Sequence, residues 1–290
     1  MDRVKLILLV GIPGSGKTTY AENYISKNDN TVHLSSDKIR EELWGNEATQ
    51  GDNNEVFSLM QSRAINALNN GQNVIYDATN ITRKDRAYII DLCPKFVKIE
   101  AHIVWAPIET CIERDANRGR TVGKAVIDKM LKRFQPPYYD EGIDEIKLIR
   151  PDNFSYDKYN DRIIKNLKIP HDNPHHSVGI FEHCLEAHKY ALANPKCNDD
   201  VRTAAWLHDI GKPYTKAFVD SKGNKCDTAH YYSHHNLSAY LSYGMCKKPY
   251  VAWLIGNHME PFFDSKYYKN LPYFLKHDID LLHECDLNAH

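Results

Sequence analysis

The stretch VKLILLV at residues 4–10 is apolar except for Lys5 and stops at a glycine-rich turn. A short apolar run without alternation reads as a strand buried on both faces. Helical spacing follows from about Lys17 to Ser26, residues 31–35 give a weaker second strand, and residues 38–44 open another helix. After the breaker Gly71, NVIYD at 73–77 is a third strand and AHIVW at 101–105 a fourth. A charged helical stretch then runs from Glu109 through Arg133, and IKLI at 146–149 closes the series. Strands alternating with helices predict a parallel sheet with helices on both faces.

After Arg150 the period changes. PDNFSYDKYND is polar and turn-rich, and IPHDNPHH at 169–176 is irregular. From Val178 onward apolar positions recur at helical spacing and no strand pattern remains. The pattern therefore predicts an α/β domain over 1–150, a linker over 151–172 and an all-α domain over 173–290. No repeat or low-complexity tract interrupts either half.

Composition refines this picture in three places. A chain of 290 residues suits two domains, and its formal net charge of -1 gives no bulk sign of a nucleic-acid binder, so such a partner needs local Arg and Lys clusters. The seven cysteines are odd in number and scattered without a CxxC pair, which fits free thiols in a reducing compartment. The N-terminal apolar run is too short to span a bilayer and leads straight into the glycine loop, so no membrane association and a cytoplasmic location are expected. Of the 15 histidines, only His33 and His102 precede residue 171, so the two halves should perform different chemistry.

Gly11-Ile12-Pro13-Gly14-Ser15-Gly16-Lys17-Thr18, followed by Thr19, places GxxxxGK[ST] directly between a buried strand and a helix. In that context the glycines let backbone N–H groups close around phosphate oxygens. Lys17 is positioned to reach a transferred phosphate and Thr18 to ligate Mg²⁺, which makes ATP with Mg²⁺ the expected cofactor. Asp37 and Arg40 share a helix face at three-residue spacing; they suit a proton acceptor beside a phosphate clamp, or equally a solvated capping pair. Asp77, at the end of the third strand, could orient Mg²⁺ or simply close a turn. Arg114 and Arg118 at i,i+4, with Arg120 following, read either as an ATP lid or as an exposed basic face.

The ordered set GIPGSGKTT, SSDKIR, YDATN and RDANRGR…VIDKM resembles 5′-hydroxyl polynucleotide kinases of the phage and bacterial RNA-repair type over about residues 4–150. The resemblance implies Asp37 as general base on a 5′-hydroxyl, Arg40 on the neighbouring phosphate, Arg114 and Arg118 as lid arginines, and Lys17 with Thr18 on the nucleotide. Kinases of small metabolites and of tRNA share the loop and part of the pattern.

In the second half, AAWLHDIGK holds His208-Asp209, with Gly211 as an expected helix end. His183 shares a helix face with Ile180 and Ala187; His258 aligns with Val251, Leu254 and Ile255; Asp286 follows Ile279 and Leu282. A lone histidine on an apolar face is usually a satisfied core residue, but several together with two carboxylates need a shared partner. One or two cations such as Mn²⁺, Fe, Co, Ni or Zn²⁺ would supply it.

The order His183, His208-Asp209, His234, His258, Asp286 resembles the HD phosphohydrolase superfamily. That implies a metal phosphoesterase, with His234 and His258 matching members that hold two metals and Lys212 matching a substrate-phosphate contact. Ser233-His234-His235 replaces a frequent Gly-His-Glu, which leaves His234 or His235 as the ligand. His176 is a further phosphate-contact candidate, with a surface or supporting role the blander reading for it and for His175, His230 and His235.

Together the resemblances imply end healing: phosphorylation of 5′-hydroxyl ends, and removal of 2′,3′-cyclic or 2′/3′ phosphates, on RNA rather than DNA. No DxDGT phosphatase or nucleotidyltransferase lysine motif is present, so a separate ligase would act downstream. Two alternatives stand beside this: a small-molecule or nucleoside kinase fused to a nucleotide phosphohydrolase, and an ATP-dependent RNA sensor.

Overall fold

The strand β1 (Lys5–Val10) is fully buried from Leu6 to Val10, as a continuous apolar run requires when both faces are covered. The computed structural model describes residues 3–46, 51–119, 121–173 and 178–289. They fall into two units: residues 1–130 with 137–152, and residues 131–136 with 153–290.

In the first unit, β1 is followed by α1 (Lys17–Ile25), β2 (Thr31–Ser35), α2 (Ser36–Trp44), α3 (Asn53–Asn69), β3 (Asn73–Asp77), α4 (Arg83–Ile90), β4 (Lys98–Val104), α5 (Ile108–Ala116), α6 (Lys124–Leu131) and β5 (Glu145–Ile149). The strands form one sheet in the order β2-β3-β1-β4-β5, with every neighbouring pair parallel. Leu6 and Leu8 pack with Val56 and Met60 of α3 and Ile89 of α4, whereas Ile7 and Leu9 pack with Ala21 and the α1 tyrosines. Alternate residues of one strand thus serve two cores, and each buried Leu or Ile contributes about 1.5–3 kcal/mol. The order puts the C-terminal ends of β1 and β3 side by side, where ligands bind in such sheets.

The α3 and α4 helices lie outside the expected elements. The stretch 109–133 is not one helix: it breaks after Ala116 and resumes at Lys124. Buried Asp115 accounts for the break. Its carboxylate accepts from Thr121 Oγ1 and from the backbone N–H groups of Val122 and Gly123, pinning the turn that follows.

The second unit contains α7 (Tyr156–Leu167), α8 (Ile180–Ala193), α9 (Asp199–Leu207), α10 (Lys212–Thr215), β6 (Ala217–Val219), β7 (Lys225–His230), α11 (His234–Met245), α12 (Pro249–Asn257), α13 (Glu260–Phe263), α14 (Lys266–Lys269) and α15 (Tyr273–Leu287). The segment 151–172 is therefore no bare linker. Tyr159, Ile163 and Leu167 form the buried face of α7, a spacing masked by the polar residues between them. The antiparallel β6–β7 hairpin is likewise absent from the helical expectation, because the apolar β6 (AFV) is only three residues long and β7 (KCDTAH) is mostly polar.

Gly211 does not end a helix in the left-handed way. It sits in α conformation just before α10, and a Cβ there would lie 2.5 Å from His234 O and 2.7 Å from Ser238 N. Glycine is needed so that α11 can approach, and Gly211 N–H donates to Ser238 Oγ at 2.8 Å.

Candidate active sites

The loop after β1 folds under strong backbone constraint. Gly14 has φ of +76°, and a Cβ there would stand 2.1 Å from Cys111 O. Gly16, also in left-handed conformation, caps α1 and points the first N–H groups of that helix into a cavity of about 600 Å³. Gly14, Lys17, Thr18, Thr19, Asp77 and Arg114 line that cavity together with Asp37, Arg40 and Arg118. Gly11 and Ser15 are buried beneath it.

Lys17 Nζ donates to Gly11 O at 2.8 Å and Ile12 O at 3.0 Å. Desolvation in the loop lowers its pKa, opposed by Asp77. Phosphate oxygens would replace those carbonyls as stronger acceptors. Thr18 Oγ1 donates to Asp77 Oδ2 at 3.2 Å, and His33 Nε2 lies 3.0 Å from the same oxygen. Thr18 and Asp77 are the residues expected from sequence to hold a nucleotide-bound Mg²⁺, and a buried carboxylate beside a loop hydroxyl fits a hard, oxygen-seeking cation.

Asp37 occupies the first turn of α2, half exposed, 3.7 Å from the Arg40 guanidinium. Arg40 is buried and held by Asn53 Oδ1 at 2.6 Å and Ser36 O at 3.1 Å. A solvated capping pair would not bury its arginine, and both side chains face the cavity. Arg114 and Arg118 are arranged differently from the helical i,i+4 stack expected. Arg114 lies in the last turn of α5 and donates to Gly14 O at 3.4 Å, whereas Arg118 lies beyond the helix end and its NH2 is tied to Asp115 Oδ1 at 2.7 Å. Arg120 lies outside the described residues. His33, Asn53 and Asp115 were not singled out from sequence. Their roles come from contacts over 44, 13 and 3 residues, which no local motif encodes.

In the second unit, α8, the C-terminal end of α9, the start of α11, the end of α12 and α15 converge. His183, His208, Asp209 and Asp286 present ligand atoms within 4.8 Å of one another, and so do Asp209, His234 and His258. Asp209 is common to both sets. His183 Nε2 lies 3.2 Å from His208 Nε2 and 2.9 Å from Asp286 Oδ1; His234 Nε2 lies 3.3 Å from His258 Nε2 and 3.1 Å from Asp209 Oδ1.

The imidazole orientations test whether cations fit. Nδ1 of His183, His208, His234 and His258 lies 2.7–3.0 Å from the carbonyls of Ala289, Ala205, Tyr231 and Ile255 respectively. A carbonyl only accepts, so each Nδ1 carries the proton and each neutral ring aims an Nε2 lone pair inward. Both oxygens of Asp209 are buried without a well-formed hydrogen bond, although Lys212 Nζ stands 2.6 Å from Oδ2. Converging lone pairs and an undersatisfied carboxylate are what a cation resolves, and the all-N/O donor set suits the first-row metals anticipated from sequence.

Without a cation, protons would take its place. Burial opposes charge on His208, but Asp209 and Asp286 outweigh it and raise its pKa to about 10. Burial likewise opposes ionisation of the two carboxylates, yet contact with the imidazoles, and with Lys212 for Asp209, holds both well below the usual range. His258 is pushed well below an ordinary histidine by burial and by its neighbouring imidazoles.

Lys212 is buried against Asp209, with its ammonium over the Tyr231 ring. His234 belongs to a ligand set and His235 does not; the His235 ring instead lies between those of His258 and Phe263. His230 stacks on Tyr232. His175, His176 and His290 lie outside the described residues. Among the described residues no helix is long and apolar enough to cross a membrane.

Residues 6–137 match the AAA domain family and residues 176–282 the HD domain family. The chain thus joins a P-loop domain of kinase type to an HD domain. The transcription factor bHLH140 of Arabidopsis thaliana is 27% identical over 154 residues, covering 50% of this chain and 16% of that protein. The L-seryl-tRNA(Sec) kinase of Methanococcus maripaludis is 27% identical over 187 residues, covering 58% of this chain and 69% of that protein. A chain in the solved Pnkp1/Rnl/Hen1 RNA repair complex is 25% identical with a TM-score of 0.44, covering 54% of this chain and 52% of that one. The chain therefore spans a small part of bHLH140 and about half of the repair-complex chain.

Proposed function

We propose that this protein prepares broken nucleic-acid ends, RNA in preference to DNA, for sealing by a separate ligase. Its P-loop domain would phosphorylate 5′-hydroxyl ends from ATP, and its HD domain would remove 2′,3′-cyclic or 2′/3′ phosphates. The reading is supported by one observation: a single chain brings Asp37 and the buried Arg40 to a cavity beside its P-loop and, in its other unit, gathers two overlapping sets of candidate cation ligands.

In the first centre, Asp37 would take the proton of the attacking 5′-hydroxyl as its oxygen bonds to the γ-phosphorus and ADP leaves. Arg40, fixed by Asn53, would clamp the phosphate next to the acceptor nucleoside. Lys17, Arg114 and Arg118 would meet the charge that develops on the transferred group. In the second, the four histidines, Asp209 and Asp286 would hold one or two divalent cations. Such cations supply Lewis-acid activation of water and phosphate when bound. Lys212 would hold a substrate phosphate oxygen, and addition of water across the cyclic ester would leave a monoester.

A second reading is that the acceptor hydroxyl is not a polynucleotide 5′ end but that of a nucleoside or another compound; the similarity to a kinase named for seryl-tRNA bears only on its first half, an acceptor other than a 5′ end. Radiolabelled ATP offered with a short 5′-hydroxyl oligonucleotide and with nucleosides separates the two. Label on the oligonucleotide supports end healing; label on nucleosides alone overturns it.

A further inference from the structure

The side chain of Phe263 is more than half exposed, at 58%, although it lies five residues after the ligand His258. The chain leaves α12 at His258 and turns once through α13, which brings Phe263 back toward the centre. Its ring centroid lies 6.1 Å from that of His235, and the His235 ring lies 6.2 Å from that of His258. Phe263 thus stands two ring contacts away from the candidate ligand His258 and, unlike that buried histidine, is open to solvent. Its neighbour Phe262, comparably exposed, is engaged edge-on with His283 at 4.3 Å. Phe263 therefore offers an exposed, flat, apolar ring on the His235 side of the candidate cation centre.

Resting on the end-healing reading of the HD domain, we propose that Phe263 is the stacking platform for the base of the terminal nucleotide, and so sets selectivity for nucleotides over base-free phosphates. Stacking of a base on an aromatic side chain tolerates any base, which suits an enzyme that must accept any terminal sequence. The same geometry makes Phe263 a positioning residue: it binds the part of the substrate remote from the reacting bond.

The test uses the full chain loaded with Mn²⁺ or Ni²⁺. Two substrates are compared: adenosine 2′,3′-cyclic phosphate and a methyl riboside 2′,3′-cyclic phosphate that lacks the base. The wild type should favour the adenosine ester about tenfold or more in kcat/KM, mainly through KM. Phe263→Ala and Phe263→Leu should bring the ratio close to unity, whereas Phe263→Trp should keep it. Tyr273→Ala, which removes an exposed ring stacked on His277, should leave the ratio as in the wild type. Wild-type preference that survives Phe263→Ala, or no preference in the wild type, overturns the proposal while end healing stands. A wild type that cleaves neither ester overturns the end-healing reading and this proposal with it.

Discussion

His33 Nε2 and Thr18 Oγ1 meet on one oxygen of Asp77, at 3.0 and 3.2 Å. The three residues come from β2, α1 and the end of β3, so the histidine fixes a carboxylate that the loop threonine also uses. His33→Ala should raise the Mg²⁺ concentration needed for half-maximal kinase activity and lower that activity by about tenfold, the usual cost of removing a group that orients a metal site. Mg²⁺ titrations of the variant check this; an unchanged midpoint would contradict a positioning role.

Asp37→Ala should reduce phosphorylation by about 10²–10⁴-fold, the usual span of a general base, and leave phosphoesterase activity as in the wild type. His208→Ala should do the reverse. Parallel assays on the two ends of one oligonucleotide decide it, and loss of both activities from either change would defeat the two-centre arrangement.

Cation loading should stabilise the HD domain. Converging lone pairs are poor company without an ion, so Mn²⁺ or Ni²⁺ at about 100 times its Kd should add about 2.7 kcal/mol to that unit, visible as a raised Tm that chelator reverses. His183→Ala should blunt the gain. A Tm insensitive to metal and to chelator would count against the ligand sets.

Gly211→Ala should destabilise the second unit by about 1–3 kcal/mol, because its Cβ would press on the backbone of His234 and Ser238. Since His234 lies in a candidate ligand set, metal affinity should fall in the same variant. Denaturant melts and metal titration read the two effects separately.

Acid should weaken the first unit through Glu100. This buried carboxylate lies in the middle of β4 and is held well below its usual pKa by His102 first, then by Lys147, Lys98 and Lys5, against the opposing effect of burial. A depressed carboxylate stabilises the fold above its unfolded pKa of about 4.3, and that contribution is lost as the pH falls below it. Glu100→Gln should therefore be less stable than the wild type at neutral pH and should lose less on acidification. Melting curves between neutral and acid pH test the sign.

Motif residues were legible because their chemistry is local: the glycine loop follows β1, Asp77 ends β3 and His208-Asp209 follows α9, although Gly211 precedes a helix rather than ending one. The convergence of histidines on apolar helix faces was legible for the same reason, since His183 and His258 keep the spacing of their buried neighbours. What sequence did not expose was pairing at a distance. His33 looked unremarkable because parallel register, not composition, brings it to Asp77. Helix α7 looked like a connector because its buried Tyr159, Ile163 and Leu167 are separated by charged residues. Arg118 seemed to continue a helix because nothing local announces that Asp115 turns back to bind the following backbone.

Residues 131–136 group with the second unit although both flanks belong to the first, and Phe134, wholly buried, sets its ring edge-on against Tyr240 and Tyr243. The polypeptide is thus stitched rather than strung. A fragment cut at residue 150 would carry away an aromatic plug, leaving it bare in water and its socket hollow. Dissecting the two chemistries is a task for single-residue changes, because no single cut separates units that interleave between residues 130 and 153.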